Sequence, residues 1–170
     1  MLNFKQKLNP ITTFIFDVDG VLTNNQVLVM DNGEVVRNVN SKDGYAIQLA
    51  LKKGYTLVVL SGGHNQAVSN LLGKAGVKHL FINQHDKLAC YKDFIYSNNI
   101  TDEQVLYMGD DLPDYEVMNR VGVAACPKDA ATEIKGICSY ISPKKGGEGC
   151  VRDVIEQVMR LQGKWEIANW

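Results

Sequence analysis

The stretch 13-TFIFDVDG-20 decides the fold of this chain. Its first four residues are aromatic, β-branched or apolar, as in a buried strand, and two aspartates follow directly. Apolar runs of the same kind recur at residues 13–16, 56–60, 79–82, 104–108, 122–125 and 139–141. Strands that are apolar on both faces are typical of a parallel sheet covered on both sides.

Segments with helical spacing lie between most of these runs, and several of them end at a glycine. They cover residues 45–53, 65–74, 88–97 and 114–120, and an amphipathic helix is predicted at 151–161. Strands and helices that alternate in this way imply right-handed crossovers. We therefore predict an α/β fold, with a doubly wound parallel sheet and helices on both faces, formed by one domain over residues 1–170.

One segment, at about residues 26–37, breaks the alternation. The segments 27–30 and 34–36 flank the turn sequence 31-DNG-33, which predicts a β-hairpin inserted in the first crossover. Its side chains are apolar on both faces, which an isolated ribbon does not tolerate in water. We expect the hairpin to protrude and to pack against another subunit; the alternative is packing on its own domain. The apolar tail at 163–170 is also expected to dock onto the protein.

The composition argues against several classes of function. The chain has 170 residues, of which 45% are hydrophobic and 22% are charged, as in an ordinary globular protein. Its net charge of −1 gives no reason to expect a nucleic acid or a membrane as partner. The sequence shows no secretory leader and no C-x-x-C pair among its four cysteines, so we expect a cytoplasmic protein with reduced thiols.

Chemically reactive residues stand where the predicted strands end. The first strand runs into Asp17 and Asp19, the second into 61-SGG-63 and the fourth into 109-GDDLPD-114, and Lys87 opens the helix after the third. In a doubly wound sheet these strand ends border the ligand crevice. Carboxylates gathered there repel one another unless a cation relieves them, and oxygen ligands with an incomplete shell suit Mg²⁺. The sequence predicts a magnesium-dependent phosphoryl-transfer site.

The two aspartates of the first strand end can take separate roles. Residues two apart in an extended segment point the same way, so Asp17 and Asp19 can face one phosphorus atom. Asp17 is the expected nucleophile, which forms an aspartyl-phosphate. Asp19 is the expected acid for the leaving oxygen and then the base for water. Lys87 and Ser61, with the backbone N–H groups of the turn after Ser61, would meet the phosphate charge.

The motifs DVDGV, LSGG, Lys87 and GDDLPD resemble, in order and spacing, those of the haloacid dehalogenase-like phosphatases. The resemblance implies that Mg²⁺ is held by Asp17, by the backbone carbonyl of Asp19 and by Asp110. An aspartate at position 19 is similar to the phosphatases and mutases of the family, whereas its transport ATPases carry threonine there. The carboxylates implied to support the lysine and the metal-bound waters are Asp111 and Asp114.

The chain has no room for the cap domain that most members insert after the first or the second motif. Instead the hairpin, the segment 40-NSKDGY-45 and the segment 146-GGEGCVRD-153 resemble the capless tetrameric branch of the family, over nearly the whole chain. In that branch the hairpins form a central barrel, and a neighbour's C-terminal region helps to close the site. The resemblance implies a homo-oligomer, expected to be a tetramer, with Lys74 and Arg152 as candidate cross-subunit residues.

The branch also implies a phosphorylated sugar acid as the small-molecule substrate. Relatives carry arginines just after the second motif, where this chain has Gly63, His64 and Leu71. The expected substrate is 3-deoxy-D-manno-octulosonate 8-phosphate, in lipopolysaccharide biosynthesis. A nine-carbon keto-deoxy sugar acid 9-phosphate stays open as the nearest alternative, and a phosphatase domain tied to sialic-acid activation is another. The residues implied to bind the substrate are Asp19, Asn40, Ser41, Lys42, Asp43, Gly44, Gly62, Gly63 and Lys87.

Two other classes of function compete with the enzyme. A phospho-acceptor signalling module also combines carboxylates and a lysine on a doubly wound sheet. Such a module carries its acceptor aspartate at the end of the third strand, whereas Asp17 ends the first. A catalytically idle scaffold is disfavoured because every reactive position is intact.

Overall fold

The computed structural model describes residues 4–64 and 66–166. Within them the strands are β1 (Thr13–Phe16), β2 (Val27–Val29), β3 (Val35–Arg37), β4 (Thr56–Leu60), β5 (His79–Phe81), β6 (Val105–Met108), β7 (Val123–Cys126) and β8 (Tyr140–Ile141). The helices are α1 (Phe4–Leu8), α2 (Ser41–Lys52), α3 (Gln66–Lys74), α4 (Lys87–Ser97), α5 (Tyr115–Met118), α6 (Thr132–Ile137) and α7 (Cys150–Leu161). No helix in this part of the chain combines the length and apolar character needed to cross a bilayer.

Six strands form one parallel sheet in the order β5-β4-β1-β6-β7-β8, while β2 and β3 form a separate antiparallel ribbon. In the central strand β1, Phe16 lies between Val59 of β4 and Met108 of β6. The chain builds one side of the sheet through β4 and β5, and the other through β6, β7 and β8. The order therefore reverses between β1 and β6, which opens a crevice at their carboxyl ends.

Helices cover both faces of the sheet, which confirms the predicted doubly wound α/β fold. Phe14 and Phe16 of β1 enter a core shared with α2 and α7. Ile15 faces the other way, into a core shared with α4, α5 and α6. The strands are apolar throughout because both of their faces are buried.

The structure corrects the predicted start of one helix. We predicted a helix from residue 45, but α2 begins at Ser41, and the Asn40 side chain accepts a hydrogen bond from the Lys42 N–H at 2.9 Å. Asparagine is among the favoured residues for capping a helix in this way. The segment 40–44 is therefore a cap and a first helical turn rather than a free loop.

Other helix boundaries differ where elements are short. The helix predicted at 114–120 is divided into a tight turn at Leu112–Asp114 and the one-turn helix α5. The short helices α1 and α6 were not predicted, and α6 contains Gly136, which lowers helix propensity. The predicted helix start at residue 65 and the end of the tail, 167–170, lie outside the described residues.

The described part of the tail packs on its own protomer. The Trp165 ring lies 5.5 Å from the guanidinium carbon of Arg152 and 6.0 Å from that of Arg160. Lys53 and Glu166 form an ion pair at 2.6 Å. These contacts attach residues 165 and 166 to α7 and to the end of α2.

The hairpin β2–β3 protrudes, as predicted. Its strands pair Val27 with Arg37 and Val29 with Val35. Leu28 is 62% exposed and Val29 is 66% exposed, so the outer part of the ribbon is not covered by its own domain. The large apolar side chains that this ribbon exposes are Val27, Leu28, Val29, Met30, Val35 and Val36.

A glycine-rich segment before α7 crosses the turn after β1 at very close range. The Gly147 N–H donates a hydrogen bond to the Val21 carbonyl at 3.0 Å. A Cβ added at Gly146 would lie 2.0 Å from the Gly20 carbonyl oxygen and 2.9 Å from that of Thr23. Only glycine fits there, so the contact holds the turn that carries Asp19.

Gly146→Ala is therefore expected to lower the free energy of unfolding by about 2 kcal/mol, because the added methyl group forces two backbone segments apart. The matched control is Gly136→Ala, where a Cβ meets nothing within 4 Å. That helical substitution should raise the free energy of unfolding by about 0.5 kcal/mol. Urea unfolding followed by circular dichroism measures both, and equal effects of the two variants would contradict the close contact.

Candidate active site

The predicted strand-end residues converge on one cavity of about 260 Å³ at the carboxyl edge of the sheet. This cavity lies where β1 and β6 diverge, as expected for a doubly wound sheet. It is lined by Asp17, Asp19, Asn25, Ser61, Gly62, Gly63, Lys87, Asp110, Asp111 and Pro113.

Lys87 lies between two buried carboxylates. Its Nζ is 3.0 Å from Asp17 Oδ2 and 2.7 Å from Asp114 Oδ1. Asp114 is fully buried and also accepts hydrogen bonds from the Tyr107 hydroxyl at 2.5 Å and from the Asp110 N–H at 3.2 Å. Asp114 thus holds the lysine in place, as the family resemblance implies.

Carboxylate oxygens of Asp17, Asp110 and Asp114 lie within 4.8 Å of one another, and all three residues are buried. Burial and the charge of Asp114 raise the pKa of Asp17 to about 8, although Lys87 acts in the opposite direction. Burial also raises the pKa of Asp110 to about 6. One lysine does not balance three buried carboxylates, and a hard cation with oxygen ligands fits this deficit.

The lysine itself stays charged. Burial alone would lower the pKa of Lys87, but the charges and hydrogen bonds of Asp114 and Asp17 outweigh burial, so its pKa lies above the ordinary value. An ammonium group held in this way can meet a phosphate.

Ser61 and its glycine turn form another wall of the cavity. Ser61 is buried at the end of β4, and its Oγ accepts a hydrogen bond from the Gly63 N–H at 3.2 Å. Asp111, in contrast, is exposed, and its Oδ1 accepts a hydrogen bond from the Leu112 N–H at 2.9 Å. Asp111 therefore caps the turn after β6, while the direct contact with Lys87 comes from Asp114.

Three residues of the site were missed by the sequence analysis. Arg37 donates from Nε to Asp19 Oδ1 at 2.6 Å, and Asn25 donates from Nδ2 to Asp110 Oδ2 at 2.6 Å. Tyr107, on β6, contacts Asp114 as described above. A tyrosine in a buried strand needs a hydrogen-bond partner for its hydroxyl, and this need could have marked Tyr107 in the sequence. No local pattern singles out Asn25 or Arg37.

The predicted substrate segment lies beside this cavity rather than in it. Asn40, Ser41, Asp43 and Gly44 border a neighbouring cavity of about 330 Å³, which Lys74 also lines. Ser41 and Lys42 are exposed. The Asp43 carboxylate is buried and accepts a hydrogen bond from the Arg152 N–H at 2.7 Å, and burial raises its pKa to about 6.

The Arg152 side chain lies away from the acidic cavity. Its guanidinium carbon is 5.8 Å from the centroid of the Tyr45 ring and 5.5 Å from that of Trp165. Within one protomer, Arg152 therefore packs between two aromatic rings, and a role for it across a subunit boundary stays a prediction.

Asp17→Asn is expected to raise the midpoint of thermal unfolding of the metal-free protein. Burial makes the negative charge of Asp17 unfavourable in the folded chain, and the substitution removes that charge. The pKa of Asp17 is higher in the folded chain than the ordinary 3.8. The contribution of the Asp17 carboxyl group to the free energy of unfolding is most favourable below pH 3.8 and is lost as the pH rises towards 8. The gain should therefore be larger at pH 9 than at pH 6.

Circular dichroism in the presence of a chelator measures this gain. Asp93→Asn, on the exposed face of α4, is the control and should leave the midpoint unchanged. A lower midpoint for Asp17→Asn at both pH values would contradict the described charge balance.

Comparisons with known proteins agree with this geometry. Residues 79–155 match the haloacid dehalogenase-like hydrolase family. The 3-deoxy-D-manno-octulosonate 8-phosphate phosphatase of Escherichia coli strain K12 is 33% identical over 163 residues, which cover 96% of this chain and 87% of that protein. The crystal structure of the Yersinia pestis enzyme of the same name superposes with a TM-score of 0.93 at 31% identity, covering 97% of this chain and 89% of that one.

A second solved structure adds bound ligands. The enzyme of the same name from Moraxella catarrhalis, in complex with a magnesium ion, a phosphate ion and a KDO molecule, superposes with a TM-score of 0.92 at 27% identity. The superposition covers 95% of this chain and 92% of the Moraxella catarrhalis chain. The chain belongs to the haloacid dehalogenase-like hydrolases, in the family of the 3-deoxy-D-manno-octulosonate 8-phosphate phosphatases.

Proposed function

We propose that this protein is a magnesium-dependent phosphatase that hydrolyses 3-deoxy-D-manno-octulosonate 8-phosphate to the free sugar acid and phosphate. The observation that carries the proposal is the buried Asp17 carboxylate, 3.0 Å from Lys87 and within an acidic cluster at the end of the central strand. The choice of sugar acid is supported by the relatives of that name, which match over 96% of the chain.

Mg²⁺ fits the donors of the site. Asp17, the backbone carbonyl of Asp19 and Asp110 would hold it, with Asp111 and Asp114 supporting the surrounding waters and the lysine. When bound, it supplies positive charge that favours ionised Asp17 and offsets the charge of the phosphate.

The chain's own residues then account for the chemistry. Ionised Asp17 attacks phosphorus, the bond to the sugar oxygen breaks, and an aspartyl-phosphate forms. Lys87, the Ser61 hydroxyl and the backbone N–H of Gly62 bind the phosphoryl oxygens, while the Gly63 N–H donates to Ser61 Oγ. Lys87 is held for this role by Asp114 at 2.7 Å.

Asp19 would move the protons. It lines the same cavity as Asp17 and lies two residues further along the chain. In the first step Asp19 gives its proton to the departing sugar oxygen, and in the second step it takes a proton from the water that cleaves the aspartyl-phosphate. The second step regenerates Asp17 and releases phosphate.

The residues of the site specify the reaction more closely than they specify the carbon chain length of the sugar acid. Where relatives of the branch are expected to carry arginines, this chain has Gly63, the exposed His64 and Leu71, which is 50% exposed. Two apolar-walled cavities adjoin this stretch, since Leu71 lines both. A nine-carbon keto-deoxy sugar acid 9-phosphate is therefore the second candidate substrate.

Phosphate release from a panel of esters tests the substrate. With Mg²⁺, we expect kcat/KM for 3-deoxy-D-manno-octulosonate 8-phosphate to exceed that for ribose 5-phosphate by at least about 100-fold, because only the sugar acid uses the whole site. Chelation should abolish turnover of every ester. A preference for the nine-carbon ester would select the alternative, and equal slow turnover of all esters would refute the sugar-acid assignment.

We also propose a cytoplasmic homotetramer in which the hairpins of neighbouring protomers pack together. Leu28 and Val29 are more than half exposed in the single protomer, and a two-stranded ribbon of such side chains is not stable alone in water. Lys74 and Arg152 stay candidates for residues that a neighbour contributes.

A charge in this ribbon should therefore separate the subunits. Leu28→Lys is expected to convert the assembly to smaller species in analytical ultracentrifugation, because it places an ammonium group in the expected apolar contact. The control is Tyr96→Lys, since Tyr96 is 86% exposed on α4 and distant from the hairpin in sequence. A monomeric wild-type protein, or an unchanged assembly of Leu28→Lys, would contradict the hairpin contact.

A further inference from the structure

We propose that Arg37, at the end of the hairpin strand β3, is a positioning residue that holds the carboxylate of Asp19 for its acid and base steps. The inference rests on the proposed function, in which Asp19 exchanges protons with the leaving oxygen and with water. Arg37 Nε lies 2.6 Å from Asp19 Oδ1. This arginine lies outside the strand-end motifs.

The Arg37–Asp19 pair is partly shielded from solvent. The Arg37 side chain is 16% exposed and that of Asp19 is 33% exposed, so solvent and salt screen this pair less than an ion pair on the open surface. A charge-assisted bond from a guanidinium also fixes direction as well as distance.

Asp19 lies in an irregular segment of the backbone. It belongs to the irregular turn Val18–Leu22, and Gly20, with φ +87°, follows it directly. A short carboxylate in such a turn is not oriented by a regular helix or strand. Arg37 approaches from a separate element and restricts that carboxylate from the side of the hairpin.

The base of the hairpin contacts carboxylates of the acidic cavity at two points. Arg37 pairs with Val27 in the ribbon, so its backbone position is set by the β2–β3 ladder. Asn25, two residues before β2, donates to Asp110 Oδ2 at 2.6 Å. At the base of the ribbon, the end of β3 therefore contacts the carboxylate after β1, and the residues before β2 contact a carboxylate after β6.

Three esters separate this role from direct substrate binding. Protonation of the leaving oxygen matters for a sugar alcohol and hardly matters for p-nitrophenolate, which is a good leaving group. We expect Arg37→Met to lower kcat/KM about 30-fold for 3-deoxy-D-manno-octulosonate 8-phosphate and for ribose 5-phosphate, which lacks a carboxylate. For p-nitrophenyl phosphate the loss should stay below about threefold, and Arg37→Lys should recover part of the larger loss.

The control is Arg120→Met, which breaks an Arg–Asp pair of the same kind, Nε to Asp102 Oδ1 at 3.1 Å, outside the cavity. It should leave all three values unchanged. In an Asp19→Asn background, Arg37→Met should cause no further loss with the sugar-acid ester, because the two residues act as one unit.

Each other outcome decides the matter. A loss confined to the sugar-acid ester would assign Arg37 to the substrate carboxylate and overturn the positioning role. An equal loss with all three esters, or a full further loss in the Asp19→Asn background, would also overturn it. Wild-type protein that hydrolyses none of the three with Mg²⁺ would instead refute the proposed function, on which this role depends.

Discussion

The structure depends on one electrostatic constraint, which is the burial of three carboxylates around a single lysine at the end of the central strand. Asp17, Asp110 and Asp114 lie within reach of one ion, and Lys87 bridges only two of them. Like charges at this range cannot all stay ionised in a buried site without a counter-ion. The cluster therefore lowers the stability of the fold. The same lack of positive charge makes it suitable for binding a cation together with a phosphate.

The sheet allows this arrangement because its order reverses beside β1. Two apolar cores, one on each face, hold β1 and β6 in register, so that the loops after Phe16 and Met108 start level with each other. Apolar burial on both faces supplies the stability that the acidic cluster removes. The glycine-rich crossing at Gly146 then keeps the turn after β1 close to the body of the protein.

The sequence was sufficient to place the reactive residues at the strand ends, because Asp17 and Ser61 directly follow apolar runs and Lys87 opens the helix after the third run. Asp17, Ser61 and Lys87 could be placed in this way, and the start of α2 at Ser41 could have been, since Asn40 carries a capping signal. Arg37 could not be found, because its partner Asp19 is 18 residues away and the contact depends on how the hairpin folds back. Long-range contacts of this kind have no local pattern.

The exposed ribbon has a further consequence for how a single copy of the chain behaves in water. An exposed run of valine and leucine in a two-stranded ribbon is the type of surface on which foreign strands add and aggregates begin. Newly made chains at low concentration carry that surface unprotected. In the proposed tetramer, rapid association would be a means of avoiding misassembly, because contacts between the hairpins would cover this surface.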